Sequence, residues 1–329
     1  MTDDVLIEIE GLTKIFPVRL GAFGNRRAEV RAVDGLNFDI LRGETLSLVG
    51  ESGCGKSTAG SVILNLETAT SGAVRYNGRD IAGLTEAEMR PLRRKLQVVF
   101  QDPYSTLNPR MTVGECVAEV LRFHKLRPAK DRAARVTEIL GDVGLPPRFA
   151  HRYPHELSGG QRQRIAIARA LACEPEFIVC DEAISALDVS IQAQILNLLV
   201  ALQKKYGLTY LFIAHDLAVV RHISQRVAVM YLGHLCELTA SETLFSQPLH
   251  PYTRALMASV PIADPVRERA RKRAPLQGEV PSPISPPSGC VFHTRCPIAR
   301  AECEALSPDW REARPGHWVA CHFADDETT

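Results

Sequence analysis

With 329 residues, 45% of them hydrophobic and 23% charged, the chain can fill one large core and a smaller appended piece. The formal net charge is +1, so no global basic excess points to nucleic acid, whose binding draws on a strongly basic face. No apolar run approaches the roughly 20 residues that span a bilayer. The opening MTDDVLIEIEG is not a basic stretch followed by an apolar one, so it does not read as a secretory signal. The expectation is a soluble, cytosolic protein that reaches any membrane through a partner.

In chain order, VLIEIEG and VRAVDGLNFDI read as strands around a polar excursion, LGAFGNRRAE. Thr45–Gly50 (TLSLVG) is a short apolar run ending in glycine, the profile of a buried strand. A glycine-rich loop follows, then a helix over Lys56–Leu64. GAVRYNGRDI predicts a hairpin turning at Asn77-Gly78, and LQVVFQ a buried strand ending at Gln101. From about 103 to 172 the pattern is helical, with breaks at Pro109, Pro128, Gly144–Pro147 and Pro154, and reads as a helical subdomain inserted between strands. Strands resume with FIVCD (Phe177–Asp181) and TYLFIAH (Thr209–His215). Between them Ile191, Ile195, Leu198, Leu199 and Leu202 form one apolar helical stripe closed by Gly207. This alternation of strand and helix predicts an α/β sheet. After about Ser241 come a basic run (Arg267–Arg273), read as a solvated linker that can also touch anionic lipid, a Pro/Ser-rich stretch and a cysteine cluster.

Gly50-Glu51-Ser52-Gly53-Cys54-Gly55-Lys56-Ser57 fits G-x-x-x-x-G-K-[S/T] between a predicted strand and a predicted helix. Glycines let backbone N–H groups close around phosphate oxygens, and the helix start adds its positive end. Lys56 is placed to reach β and γ phosphates, and the Ser57 hydroxyl to ligate Mg²⁺. A glycine turn carrying Lys-Ser by chance is the competing reading. Cys54 inside the loop reads either as a reactive thiolate at a helix start or, more simply, as a small residue that fits. The strand Phe177–Cys180 delivers Asp181 and Glu182 to its C-terminal end, where open α/β sheets bind ligands. Asp181 is expected to orient Mg²⁺ through water and Glu182 to polarise an attacking water.

Leu157-Ser158-Gly159-Gly160-Gln161 precedes the helix RQRIAIARALA and, with the motifs above, resembles the ABC transporter ATPase family. Taken alone, those residues read as an ordinary Ser-capped helix start. The resemblance implies an ABC-type P-loop ATPase core with an antiparallel β subdomain, an inserted helical subdomain and a small Cys-rich C-terminal appendage. It implies an ATP-binding domain over 5–245 and an extension over 246–329. Gly50, Glu51, Ser52, Gly53, Cys54, Gly55, Lys56, Ser57 and Thr58 are expected to hold ATP, with Phe16 stacking on adenine. Ser158, Gly159, Gly160 and Gln161, with the D-loop residue Asp188 in Ser185–Asp188, are expected to act on the nucleotide of a second subunit. Gln101 corresponds to the Q-loop and His215 to the switch histidine that contacts the γ-phosphate; Ser57, Gln101 and Asp181 are the Mg²⁺ set, and Glu182, His215 and Gln101 the catalytic one. Asp181–Ser185 reads DEAIS where the family usually has DEPTS.

QDPYSTLNPRMTVGE, SALDVSIQAQILNLL, HPYTRALMASVP and the cysteine tail look like the oligopeptide/dipeptide importer subfamily. The partners this implies are a second ATPase subunit, identical or homologous, two transmembrane permeases and, indirectly, an extracytoplasmic binding protein, on the cytoplasmic side of the cell membrane. Relatives with this tail serve peptides, nickel or glutathione. A non-transport ABC ATPase acting on translation or DNA is the alternative, although such chains usually carry two cassettes or long coiled-coil insertions. Cys290, Cys296, Cys303 and Cys321 suit a 4Fe–4S cluster, as in some subfamily members, or tetrahedral zinc with His293, His317 or His322 replacing one thiolate. Reduced thiols packing a small satellite fold are the third possibility.

Overall fold

The computed structural model describes residues 4–20, 26–259 and 278–325; the basic run Arg267–Arg273 lies outside them. In chain order the elements begin with β1 (Val5–Leu20), β2 (Arg26–Leu41), β3 (Thr45–Val49), α1 (Lys56–Ile63), β4 (Ser71–Tyr76) and β5 (Arg79–Asp80). There follow α2 (Glu86–Met89), β6 (Leu96–Val99), α3 (Pro103–Thr106), α4 (Val113–Phe123), α5 (Arg132–Asp142) and α6 (Gly159–Ala172). Next come β7 (Phe177–Asp181), α7 (Val189–Tyr206), β8 (Thr209–Ala214), α8 (Leu217–Ile223), β9 (Arg226–Tyr231) and β10 (His234–Ala240). The last are α9 (Ser241–Ser246), α10 (Pro251–Ser259), α11 (Ala301–Ala305), β11 (Arg311–Arg314) and β12 (His317–Val319). No helix among the described residues is long and apolar enough to cross a membrane. The chain divides into two compact units, one built from Ile40–Thr45 and Leu84–Ile213, the other from Leu6–Asp39, Leu46–Gly83 and the residues from Ala214 onward.

In the first unit β7 lies between β6 and β8, parallel to both, in the register Leu96↔Phe177↔Thr209. Every residue of β8 is buried, as is β7 up to Cys180, which is why both read as unbroken apolar runs. β6 is different. It is an end strand, only half-buried, and it stops at Val99, two residues short of the expected Gln101. The segment 103–172 carries α3–α6, and α4 packs against both α5 and α6. A capping box at Thr112 and Glu115 starts α4, which buries Val113, Val117 and Leu121 along one face. In α7 the buried stripe is Ile195, Leu196, Leu199 and Leu202, and left-handed Gly207 ends the helix as expected. Ile191 and Leu198 are only half-buried. Gly160, at the start of α6, meets Ile191 closely: a Cβ there would lie 2.5 Å from Ile191 Cγ2.

In the second unit β2, β1, β4 and β5 form a four-stranded sheet, with β1 antiparallel to β4 (Ile7↔Tyr76) and Asn77-Gly78 making the hairpin turn at φ 50° and 74°. The strands reach Leu20 and resume at Arg26, so much of the expected polar excursion is strand. A parallel pair, β3 with β9, carries the buried TLSLV segment. β10 pairs antiparallel with β9, and β12 and then β11 extend the same sheet.

The Glu237 carboxylate on β10, wholly buried, accepts the N–H groups of Leu249 (2.7 Å) and His250 (3.0 Å) and His317 Nε2–H from β12 (2.7 Å). Burial works against its charge, but these donors hold its pKa below the ordinary carboxylate value. His250 Nδ1 accepts Tyr252 N–H at 3.0 Å, and the ring donates to the Ala320 carbonyl. This fixes the neutral tautomer, and burial pushes the pKa down to about 4.

Two outcomes follow from this packing. The folded His250 stays neutral while an unfolded one takes up a proton as pH drops below its ordinary 6.5, so the unfolded state binds more protons between 6.5 and about 4. Stability should fall across that window by on the order of 3 kcal/mol, with Glu237 extending the loss to lower pH. Thermal melts in a pH series test this: His250→Gln should flatten the slope, and an equal slope in both proteins would contradict it. Gly160→Ala should cost about 1–3 kcal/mol through overpacking on Ile191, whereas at Gly159, where a Cβ would stand 3.4 Å from Leu187, the same change should leave the melting midpoint unmoved.

Candidate functional site

The second unit holds the glycine loop. β3 is buried along its whole length and delivers Gly50. A Cβ at Gly50 would lie 2.1 Å from the Met230 carbonyl oxygen, and one at Gly55 1.9 Å from that of Ala32. No larger residue fits at either position without displacing backbone. Gly55 caps α1 in a left-handed conformation and, lacking a side chain, makes no cap hydrogen bond to the helix's first N–H groups. Those donors are the ones an anion at a helix start would take. Lys56 is 4% exposed; its Nζ donates to the carbonyls of Gly50 (2.8 Å) and Glu51 (2.9 Å) and, more weakly, to Cys54 Sγ (3.8 Å). Cys54 is buried. Burial pushes its thiol pKa up despite nearby Lys56, so it behaves as the small space-filling residue and not as a thiolate. Ser52, Gly53 and Ser57 are exposed and Thr58 half-buried.

Phe16, on β1, is half-buried with Lys14 Nζ 4.7 Å from its ring centroid, so it is not committed to the core. His215 is exposed and directly follows β8, while the next residue, Asp216, caps α8 through Ala218 N–H at 2.8 Å. Two contacts on the loop were not legible in the sequence: Tyr252 Oη accepts Glu51 N–H at 2.9 Å, and Arg295 grips the Glu51 carboxylate. The HPYT segment supplies Tyr252, but nothing in its spacing shows that it meets a loop some two hundred positions earlier.

Gln101, Asp181, Glu182, Ser158–Gln161 and Asp188 belong to the first unit. Asp181 ends β7. Glu182 sits at φ 47°, a left-handed conformation that costs a non-glycine residue roughly 1–2 kcal/mol. Its N–H donates to the Ile213 carbonyl (3.1 Å), and its own carbonyl accepts Ser185 N–H (3.1 Å) and Oγ–H (3.0 Å). Ala183 and Ile184, the departure from the family's usual Pro-Thr, are buried at 1% and 4% exposure. The Ile184 carbonyl accepts from the Gln192 side chain.

Ser158 caps α6 in a reciprocal box with Gln161: Gln161 N–H donates to Ser158 Oγ (3.4 Å) and Ser158 N–H to Gln161 Oε1 (3.1 Å). Ser158 and Gly159 are exposed. Gln163 Nε2, from the buried side of α6, donates to the Phe100 carbonyl at 3.4 Å, tying this helix to the residue before exposed Gln101. Asp188 is the N-terminal cap position of α7; its backbone carbonyl accepts the N–H groups of Ile191 and Gln192.

The expectation of a metal centre at the four C-terminal cysteines finds no support in the fold. Among the described residues no group of three or more His, Cys, Asp or Glu side chains is placed to hold a metal ion, and all nine cysteines are free. Burial raises the pKa values of Cys290, Cys321 and Cys296, the last to about 11, and neighbouring thiols add to the rise. Cys303 is buried, and its carbonyl accepts Cys290 N–H. The histidines named as alternative ligands are engaged elsewhere: His317 with Glu237, His293 Nδ1 with the Cys290 carbonyl, and His322 Nε2 with the Leu306 carbonyl. The arrangement of the described residues lends no support to a 4Fe–4S cluster or to zinc.

The sequence matches the ABC transporter family over residues 33–185 and the oligopeptide/dipeptide transporter C-terminal region over residues 236–303. It is 52% identical over 321 residues to the oligopeptide transport ATP-binding protein AppF of Bacillus subtilis, covering 97% of this chain and 98% of that one. It is 56% identical over 313 residues to the putative oligopeptide transport ATP-binding protein YkfD of the same organism, covering 95% of each. Among solved structures, the dimeric post-hydrolysis state of the ATP-binding cassette MJ0796 bound to ADP and Pi superposes with a TM-score of 0.64 at 32% identity, over 72% of this chain and 99% of that one. The Clostridium perfringens protein cbiO1, part of the ABC transporter complex cbiONQ, gives 0.64 at 27% identity, over 74% of this chain and 92% of that one. The glycine loop, the strand-end carboxylates and near-full-length identity lead to one assignment: the chain belongs to the ATP-binding subunits of ABC transporters, in the oligopeptide/dipeptide branch, and is a transport-coupled ATPase.

Proposed function

We propose that this chain powers the import of peptides by binding and hydrolysing ATP on the cytoplasmic face of a membrane, beneath two transmembrane permeases that an extracytoplasmic binding protein feeds. The observation that carries the reading is the glycine loop with Lys56 buried across its carbonyls, in a chain more than half identical along almost its whole length to oligopeptide transport ATP-binding proteins. In this reading residues 5–245 form the nucleotide-binding domain, with the helical insertion at about 103–172, and 246–329 the extension.

The loop N–H groups and Lys56 take the β and γ phosphates, Thr58 lines the same turn and Phe16 stacks on adenine. Glu182 accepts a proton from the attacking water. His215 and Gln101 hold the γ-phosphate and the water in line. Mg²⁺ bound with the nucleotide would neutralise phosphate charge, and Ser57, Gln101 and Asp181 offer it hydroxyl, amide and carboxylate oxygens, a hard donor set that suits it. Ser158, Gly159, Gly160, Gln161 and Asp188 act on nucleotide held by a second subunit, identical or homologous, so that each site is complete only in the dimer. The dimeric arrangement of the similar cassette supports this. The exposed, side-chain-capped start of α6 supports it too, because closure would bring a helix terminus to an anion. Binding closes the dimer, hydrolysis opens it, and the residues after β6 pass the motion to the permease. Nothing in this mechanism requires a cluster at the four cysteines.

Glu182→Gln should bind ATP normally, lose about 100-fold or more in kcat through removal of the base, and accumulate as a nucleotide-bound dimer on gel filtration. Hydrolysis at the wild-type rate would take the base assignment away from Glu182. Lys56→Ala should lose ATP binding at concentrations that saturate the wild type. Uptake assays in cells lacking this chain should show loss of peptide uptake; loss of nickel or glutathione uptake alone would reassign the cargo.

A further inference from the structure

The second residue of the glycine loop is held by two groups from the far end of the chain. Arg295 Nη1 donates to Glu51 Oε2 at 2.7 Å and Nη2 to Oε1 at 3.1 Å, a two-point grip on one carboxylate. The Arg295 side chain is 5% exposed and that of Glu51 26%, so water screens this pair less than an ordinary surface pair. Glu51 N–H donates to Tyr252 Oη at 2.9 Å. Behind these contacts Tyr231, Tyr252 and Phe292 are buried against one another, with ring centroids 4.8–5.3 Å apart. Arg295 Nη1 also lies 3.4 Å from Tyr231 Oη. The helical turn His293–Arg295 that carries the guanidinium sits between Cys290 and Cys296.

Glu51 therefore has two sides. Its carboxylate and N–H face the C-terminal segment, and its carbonyl takes one of the Lys56 ammonium protons at 2.9 Å. A planar guanidinium bonded at two points fixes the carboxylate in angle as well as position. Any shift of Arg295 is thus passed to the carbonyl that aims Lys56.

We propose that Arg295 and Tyr252 are positioning residues for the nucleotide, clamping Glu51 so that Lys56 and the glycine loop keep their phosphate-binding arrangement and the C-terminal segment sets the affinity for ATP. This rests on the reading of Gly50–Ser57 as the phosphate site. Neither residue is placed on substrate; both act through Glu51.

The test measures binding of a fluorescent ATP analogue and steady-state hydrolysis with the full-length chain in its assembled transporter. Arg295→Ala should weaken binding and raise KM for ATP about tenfold, the scale of a lost charge-assisted hydrogen bond, with kcat within about twofold of wild type. Arg295→Lys should fall between, because a point charge cannot bond at two places. Glu51→Ala should weaken binding as much as Arg295→Ala does, and the double variant should bind no more weakly than either single one. Unchanged affinity in folded Arg295→Ala protein, or losses that add in the double variant, would overturn the proposal. Should Arg295→Ala not fold, Glu51→Gln, which keeps the shape and removes the charge, is read by the same criteria. Lys56→Ala separates the two levels: if it binds ATP like the wild type, the phosphate-site reading itself fails, whereas its loss of binding beside an unaltered Arg295→Ala sinks only the clamp.

Discussion

The nucleotide chemistry of this chain depends on how closely backbone passes backbone at two glycines. Gly50 and Gly55 run so near the carbonyls of Met230 and Ala32 that a methyl group at either would overlap an oxygen. The loop between them is consequently held to one shape by the end of β9 and by β2, and Lys56 is buried across it without a carboxylate partner among its hydrogen bonds. An ammonium whose hydrogen bonds go to two carbonyls and a thiol has no anion already paired with it there, and the start of α1 adds N–H donors of the same sign.

The carboxylates of the first unit show a second local solution. Glu182 occupies a left-handed conformation that glycine would adopt at no cost. Two hydrogen bonds from Ser185 and one to Ile213 hold it there. A carboxylate held in a strained backbone by its surroundings is fixed where a more relaxed residue would wander. The Ala-Ile that stands for Pro-Thr in this motif is buried.

Much of this was legible from residue order. The loop, the buried strands β3, β7 and β8, the Asn77-Gly78 turn and the Gly207 helix stop all follow from local rules, because each is determined within a few residues. Gln101 was placed on a strand because LQVVFQ is apolar. The strand is an end strand and ends at Val99, and periodicity alone does not distinguish an edge from a centre. The cysteine tail shows the opposite limit. Spacing brings Cys290, Cys296, Cys303 and Cys321 together on paper, while the fold commits His317 to Glu237, buries Cys303, half-buries the other three and gives no metal-holding group among the described residues. The grip of Arg295 on Glu51 was hidden for a simpler reason: charge pairs between distant segments leave no mark in either segment.

The mechanism depends on nucleotide being shared between subunits, with the glycine loop of one facing the capped start of α6 in the other. A cryo-electron microscopy structure of the assembled transporter carrying Glu182→Gln and saturated with Mg²⁺ and ATP tests this most directly. The account predicts γ-phosphate within hydrogen-bonding distance of Lys56 from one subunit and of Ser158 from its partner. Ser158 facing bulk solvent in the closed, nucleotide-filled assembly would contradict it.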